Sequence, residues 1–149
     1  MRKLLCLLLV FVVGCSDNKG VYFNKNNIVV PDFEITITDY RIVPAGSDDT
    51  FARSDKAVIV FEFDIYNKNA GDCIDAGKSW KSLIKVFQDD VELVDLDSFE
   101  TMICMSKGGT KWGAVPYELN NLESPVIIKA SLPDKSDPFG EQEFVLSGK

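Results

Sequence analysis

The chain has 149 residues, a length suited to one domain, with 16 Lys plus Arg, 23 Asp plus Glu and no His. Without imidazole, Ser-His-Asp and Cys-His nucleophilic centres and His-bearing zinc sites are excluded, and a net charge of −7 disfavours a nucleic-acid groove or a polybasic membrane patch. A hydrophobic fraction of 46% is ordinary for a globular protein and excludes wholesale disorder.

The N-terminus begins with the basic pair Arg2-Lys3, followed by an apolar run from Leu4 to Val13 and then Gly14-Cys15. As a helix that run spans about 15 Å, half of a ~30 Å hydrocarbon core. It therefore reads as a secretory signal rather than a membrane span, and residues 1–14 are assigned to it. Val12-Val13-Gly14-Cys15 resembles the bacterial lipobox, which implies cleavage between Gly14 and Cys15 and a lipidated Cys15 carrying diacylglycerol and palmitate-type chains. Each buried methylene contributes about 0.8 kcal/mol to such an anchor. The alternative is an ordinary signal peptide that happens to contain Cys15. The lipobox reading places the protein in the bacterial cell envelope, held to the cell membrane, or to an outer membrane if the host has one. Cys6 leaves with the signal, and the loss of Arg2 and Lys3 moves the net charge from −7 to −9.

Residues 15–27 read as the lipidated cysteine and a polar tether, and residues 28–149 as the folded domain. Phe33 to Thr38 alternates strictly, with Phe33, Ile35 and Ile37 on one face of a half-buried strand. Pro44 to Asp55 is a loop. Ala57 to Tyr66 is the strongest strand, with Ile59, Phe61, Phe63 and Ile65 on one face and Glu62 and Asp64 on the other. Asn67 to Lys78 reads as a loop, and no segment of the mature chain shows a convincing helical period. Trp80 to Val94 reads as a hairpin whose strands, Leu83–Gln88 and Val91–Val94, flank the turn Asp89-Asp90. Asp-Gly would suit a type I′ turn better. Further strands are expected over Phe99–Met105, Trp112–Leu119, Val126–Leu132 and Glu143–Leu146. Lys107 to Thr110 reads as a turn, and Pro116 points to an edge or a bulge. About seven to eight short strands separated by turns describe an antiparallel β-sandwich or barrel.

Several segments resemble one bacterial group: Phe33 to Tyr40, the strand ending in Tyr66-Asn67-Lys68-Asn69, Val86 to Leu93, and Tyr117-Glu118-Leu119 followed by Ser124-Pro125-Val126. The group comprises the immunoglobulin-like lipoproteins and secreted proteins of unknown function, best known from Gram-positive bacteria. The resemblance covers residues 33–146 and implies an all-β, immunoglobulin-like antiparallel sandwich with no catalytic residues. Asp90, where the group usually has Gly, and the pair Cys73 and Cys104 are departures from it.

Cys73 and Cys104 remain for pairing after processing, and an oxidising exported compartment favours a disulfide between them. Two separate buried thiols are the alternative, and nothing supplies the Cys-x-x-Cys of a redox pair. The acidic pairs Asp48-Asp49, Asp89-Asp90, Asp95/Asp97 and Asp134/Asp137 could furnish calcium oxygens, but none follows an EF-hand spacing, and solvated turns explain them as well. No catalytic residue, metal site or cofactor is assigned. Ser79 beside Lys78 and Lys81, and Ser106 beside Lys107, match no Ser-Lys signature, and a carboxylate-pair hydrolase has no specific support. Of Trp80 and Trp112 at least one belongs in the core. A second Trp exposed near the Gly108-Gly109 turn would mark a binding surface. The expected function is a noncatalytic, lipid-anchored module with an envelope protein partner and no nucleic-acid partner. A calcium- or other cation-binding exported protein is the alternative, ahead of a hydrolase.

Overall fold

A computed structural model describes residues 20–50, 52–69, 74–96 and 105–146. Its nine strands are β1 (Tyr22–Asn24), β2 (Asn27–Val29), β3 (Phe33–Val43), β4 (Val58–Asn67), β5 (Ile84–Gln88), β6 (Val91–Glu92), β7 (Thr110–Glu118), β8 (Val126–Ala130) and β9 (Gly140–Phe144). One helix, α1 (Ala76–Leu83), precedes β5. The strands form two antiparallel sheets, ordered β1-β2-β3-β4-β7 and β6-β5-β8-β9. The protein is an all-β sandwich.

Period-two patterning builds the core. Ile35, Ile37, Ile59, Phe61, Phe63 and Ile65 are all at most 2% exposed. They face Ile84 and Val86 of β5, Val126 and Ile128 of β8 and Phe144 of β9 in one continuous cluster. Phe61 meets Phe144 edge-on at 5.1 Å between ring centres. Trp80 stacks on Phe63 at 4.6 Å and on Phe61 at 6.0 Å, and its Nε1 donates to the Tyr117 hydroxyl at 2.8 Å. One flank of the sandwich is tied by polar contacts: Tyr40 Oη donates to the Val145 carbonyl at 2.8 Å, and Gln142 Nε2 to Asn26 Oδ1 at 2.6 Å.

Four expectations are corrected. Trp80 to Leu83 is helical, and the loop expected from Asn67 through Lys78 ends at Asp75. Asp75 caps the helix by accepting from the Lys78 amide at 2.9 Å, and the buried residues Ala76, Ser79, Trp80 and Leu83 recur at helical spacing. The stretch read as tether already pairs from Tyr22: β1 and β2 turn through Lys25, at φ 53°, so that Phe23 and Ile28 face inward. The strand beginning at Phe33 runs on to Val43 through a bulge between Ile37 and Asp39. The last strand is Gly140–Phe144 rather than Glu143–Leu146. The Asp89-Asp90 hairpin holds, with φ of 51° and 61° at its two turn residues. Pro116 lies on β7, an edge strand of its sheet, where its carbonyl accepts from Leu96 N at 3.0 Å. The expected strand from Phe99 lies outside the described residues except for Met105, which is not in a strand.

Candidate binding face

The outer face of the larger sheet follows from its register. Directly paired residues share a face, so Thr36, Asp64 and Trp112 form one outward row across β3, β4 and β7, and Glu34, Tyr66 and Thr110 the next. Asn27 extends the first row and Val29 and Tyr22 the second. Three large aromatics stand out on this face: Tyr22 is 48% exposed, Tyr66 41% and Trp112 45%. Trp80 is fully buried. The two tryptophans thus divide as the sequence allowed, one in the core and one outside, two residues into β7 after the Gly108-Gly109 turn.

The carboxylates among these aromatics are partly organised. Glu34 Oε1 accepts from Asn27 Nδ2 at 2.8 Å, and Thr36 Oγ1 donates to Asn27 Oδ1 at 3.3 Å. Farther along the sheet, Arg41 reaches Asp49 at 2.7 Å and Glu62 at 3.4 Å. The hydrogen bond to Asp49 and the negative charges of both acids hold the guanidinium above its ordinary pKa, against a smaller opposing effect of burial. Beyond Arg41, Val43, Val58, Val60 and Ala114 form a second small apolar cluster under Ala52 and Leu96, so this end of the face is covered. At its border the Ser54 hydroxyl, 2.6 Å away, and Lys56, at 3.3 Å, hold Glu118 below the usual carboxylate range. The exposed large aromatics of the face lie on its other half, which carries Trp112, Tyr66 and Tyr22.

One member of each of three acidic pairs has a structural partner. Asp49 pairs with Arg41, Asp89 accepts from Asn121 Nδ2 at 2.8 Å, and Asp95 pairs with Lys81. Asp97 lies outside the described residues. Among the described residues no three of His, Cys, Asp and Glu come together to hold a metal ion. Ser79 is buried in α1, and Ser82 Oγ donates to its carbonyl. Gly14, Cys15, Cys73 and Cys104 lie outside the described residues. No described helix is long and apolar enough to cross a membrane.

Sequence reasoning missed two buried polar residues that set loop geometry. Gln88 is fully buried and uses both ends of its amide: Nε2 donates to the carbonyls of Asn121 and Ser124, and Oε1 accepts from the amides of Asn120 and Asn121. Asn67, also fully buried, exchanges backbone bonds with Gly108 and Gly109 and donates Nδ2 to the Met105 carbonyl at 2.8 Å. Gln88 thereby pins the β7–β8 connection, and Asn67 the turn leading to Trp112. A polar residue at an inward-facing strand position was the available signal for both.

The family model described as "Domain of unknown function (DUF5067)" matches residues 16–131. The chain belongs to this family. No curated protein matches it. Its fold is similar to that of a proposed lipoprotein from Staphylococcus aureus, with a TM-score of 0.71, 19% identity, and coverage of 86% of this chain and 93% of that one. A protein from Enterococcus faecalis is similar at a TM-score of 0.60 and 15% identity, over 89% of this chain and 100% of that one. A proposed lipoprotein from Bacillus subtilis gives a TM-score of 0.59 at 10% identity, over 85% of this chain but 40% of its own. At these identities the likeness concerns the fold.

Proposed function

We propose that the protein is a lipid-anchored, noncatalytic binding module of the bacterial cell envelope, an immunoglobulin-like sandwich that presents one sheet face to an envelope protein. The observation that carries the binding reading is the exposure of Trp112, Tyr66 and Tyr22 together on one outward face. Large aromatics gain most from being covered by a partner, and here a hydrogen-bonded sheet fixes them in place before binding, which lowers the ordering cost. The anchor reading rests on the basic-apolar N-terminus ending in Val12-Val13-Gly14-Cys15. It is supported by the lipoprotein descriptions of the Staphylococcus and Bacillus neighbours.

A photocrosslinking residue in place of Tyr66, in cells of the native host, tests the binding reading. One reproducible crosslinked envelope protein, lost on Trp112→Ala, is expected. Recovery of no protein across growth conditions would refute the reading. Labelling with a fatty-acid analogue tests the anchor: wild type should be labelled and Cys15→Ala should not. A mutant labelled as strongly as wild type would refute lipidation at Cys15.

A further inference from the structure

We propose that the outer edge of β9 takes up an extended segment of a partner protein in which basic and apolar residues alternate, adding it as a further strand beside Glu141 and Glu143. This edge belongs to the smaller sheet, and the proposal goes beyond the reading drawn from the aromatic face of the larger one. β9 ends its sheet, with β8 as its neighbour. Bonded and unbonded pairs alternate along an antiparallel ladder, and two bonds set the phase here. Leu93 donates to the Val86 carbonyl and Ser131 to the Leu83 carbonyl, each at 2.8 Å. Lys85 and Phe87 therefore bond β8, and Val126, Ile128 and Ala130 of β8 bond Phe144, Gln142 and Gly140 of β9. The amides and carbonyls of Glu141 and Glu143 point the other way, out of the sheet, and no described backbone group meets them. The Val145 carbonyl, next in the same phase, is the one taken by the Tyr40 hydroxyl.

Unpaired strand edges pair readily with other chains, and charged side chains are one means of restricting which. Glu141 and Glu143 are exposed, while Phe144 beside them is buried. Neither glutamate makes an ion pair among the described residues. Lys129, opposite Glu141, holds its ammonium over the Phe87 ring, 4.9 Å from the ring centre. On the inward side of the same edge, a cleft of about 400 Å³ lies between β9 and β3. Ile37, Tyr40 and Phe144 give it an apolar wall, and its charged groups, Asp39 and Glu143, are both acidic. A strand added about 4.8 Å from β9 would send alternate side chains to opposite faces. One set would stand beside the two glutamates, where Lys or Arg is favoured, and the other would enter the cleft, where apolar groups are. Main-chain bonds would supply the affinity and this alternation the choice of partner. A second copy of the chain is a poor occupant, because two antiparallel β9 edges would set glutamate against glutamate.

Calorimetric titration of the full-length chain, held in detergent micelles, with a heptapeptide of alternating lysine and valine tests the site, together with amide exchange. The bound peptide should slow exchange of the Glu141 and Glu143 amides at least about tenfold. The same peptide N-methylated on its backbone amides keeps its charge and should bind at least about fivefold more weakly. Because any acidic protein attracts a basic peptide, two doubles of equal charge change are compared. Glu141→Gln with Glu143→Gln should weaken binding at least about fivefold, whereas Asp48→Asn with Asp55→Asn, exposed on the β3–β4 loop, should change it less than about twofold. Glu143→Pro removes the outward amide and no bond to β8, and should bind more weakly than Glu143→Gln. If melting curves show that Glu143→Pro unfolds, the N-methylated peptide carries the same comparison. Absent binding, unslowed exchange at Glu141 and Glu143, equal affinity of the two peptides or equal losses in the two doubles would each overturn the site. Protection of those amides that rises with protein concentration without peptide would overturn it in favour of a second copy.

Discussion

Gly113 shows how tightly single residues are fitted in this sandwich. It pairs with Phe63 across β4 and β7, and a Cβ at that position would stand 2.5 Å from the Phe63 ring. The ring cannot swing aside, because it is fully buried and stacked on Trp80. Gly113→Ala should therefore destabilise the protein by about 1–3 kcal/mol, the usual range for overpacking, measurable by urea unfolding; a neutral result would mean that Phe63 has room the packing does not show. Asp90 presents the opposite case. With φ at 61° it occupies the left-handed region at a type I′ turn position that glycine fills without steric cost. Its partner Asp89 also has positive φ but is held by Asn121 Nδ2. Asp90→Gly alone should raise stability by about 0.5–1 kcal/mol, since the removed backbone strain outweighs the added entropy of glycine. A lower denaturation midpoint in this variant would contradict that balance.

At the scale of elements, β4 and the helix packed on it carry the core. Phe61 touches Trp80, Tyr117, Tyr40 and Phe144, so Phe61→Ala should cost about 3–5 kcal/mol; a loss below about 1 kcal/mol would be incompatible with that burial. Tyr117 links β7 to α1 through the Trp80 hydrogen bond. Burial raises its pKa well above the ordinary tyrosine value, and the Trp80 donor opposes the shift only in part. A raised folded-state pKa means that the native state holds the proton more tightly than the unfolded chain. The associated stability is complete below about pH 10 and is lost as the pH rises beyond it. Tyr117→Phe, which leaves the Trp80 N–H without an acceptor, should cost about 1–3 kcal/mol at neutral pH and flatten the alkaline loss of stability. Parallel alkaline limbs for wild type and variant would rule this account out. The same elements show what a one-dimensional reading captures. Ile59, Phe61, Phe63 and Ile65 alternate with polar residues, so β4 and its inward face were plain from spacing. The helix was not, because it is only eight residues long, contains Gly77, and buries two small residues beside Trp80 and Leu83, leaving little apolar period to detect. The Asp75 cap was its clearest signal. The candidate binding face was legible only as a Trp that could lie outside the core. That Asp64 stands beside Trp112 depends on the β4–β7 register, which long-range pairing sets and local pattern does not.

Over the whole molecule, the end of β4 and the start of β7 lie side by side, with Tyr66 paired to Thr110. Asn67, the last residue of β4, holds the turn that follows Met105 by three bonds, to Met105, Gly108 and Gly109. Ile74 and Met105, the immediate neighbours of Cys73 and Cys104 in sequence, belong to the same buried cluster. We propose that Cys73 and Cys104 form a disulfide closing this end. Their sequence neighbours Ile74 and Met105 lie in one core cluster; on the proposed lipobox reading Cys6 would leave with the signal and Cys15 would carry the lipid, and an exported compartment is oxidising. The bond would close a loop of about thirty residues and contribute roughly 3–4 kcal/mol in the chain-entropy account. For a domain of this size, reduction should then lower the melting temperature by roughly 10 °C. Because the loop starts just before α1 and ends just before the turn leading into β7, reduction should also speed amide exchange in Lys107–Thr110 more than in β8 or β9. Nonreducing peptide mapping of protein purified from its own envelope without reductant should find Cys73 and Cys104 joined. Two alkylatable thiols in that preparation would defeat the pairing, since Cα atoms more than about 7 Å apart cannot be bridged without moving the backbone.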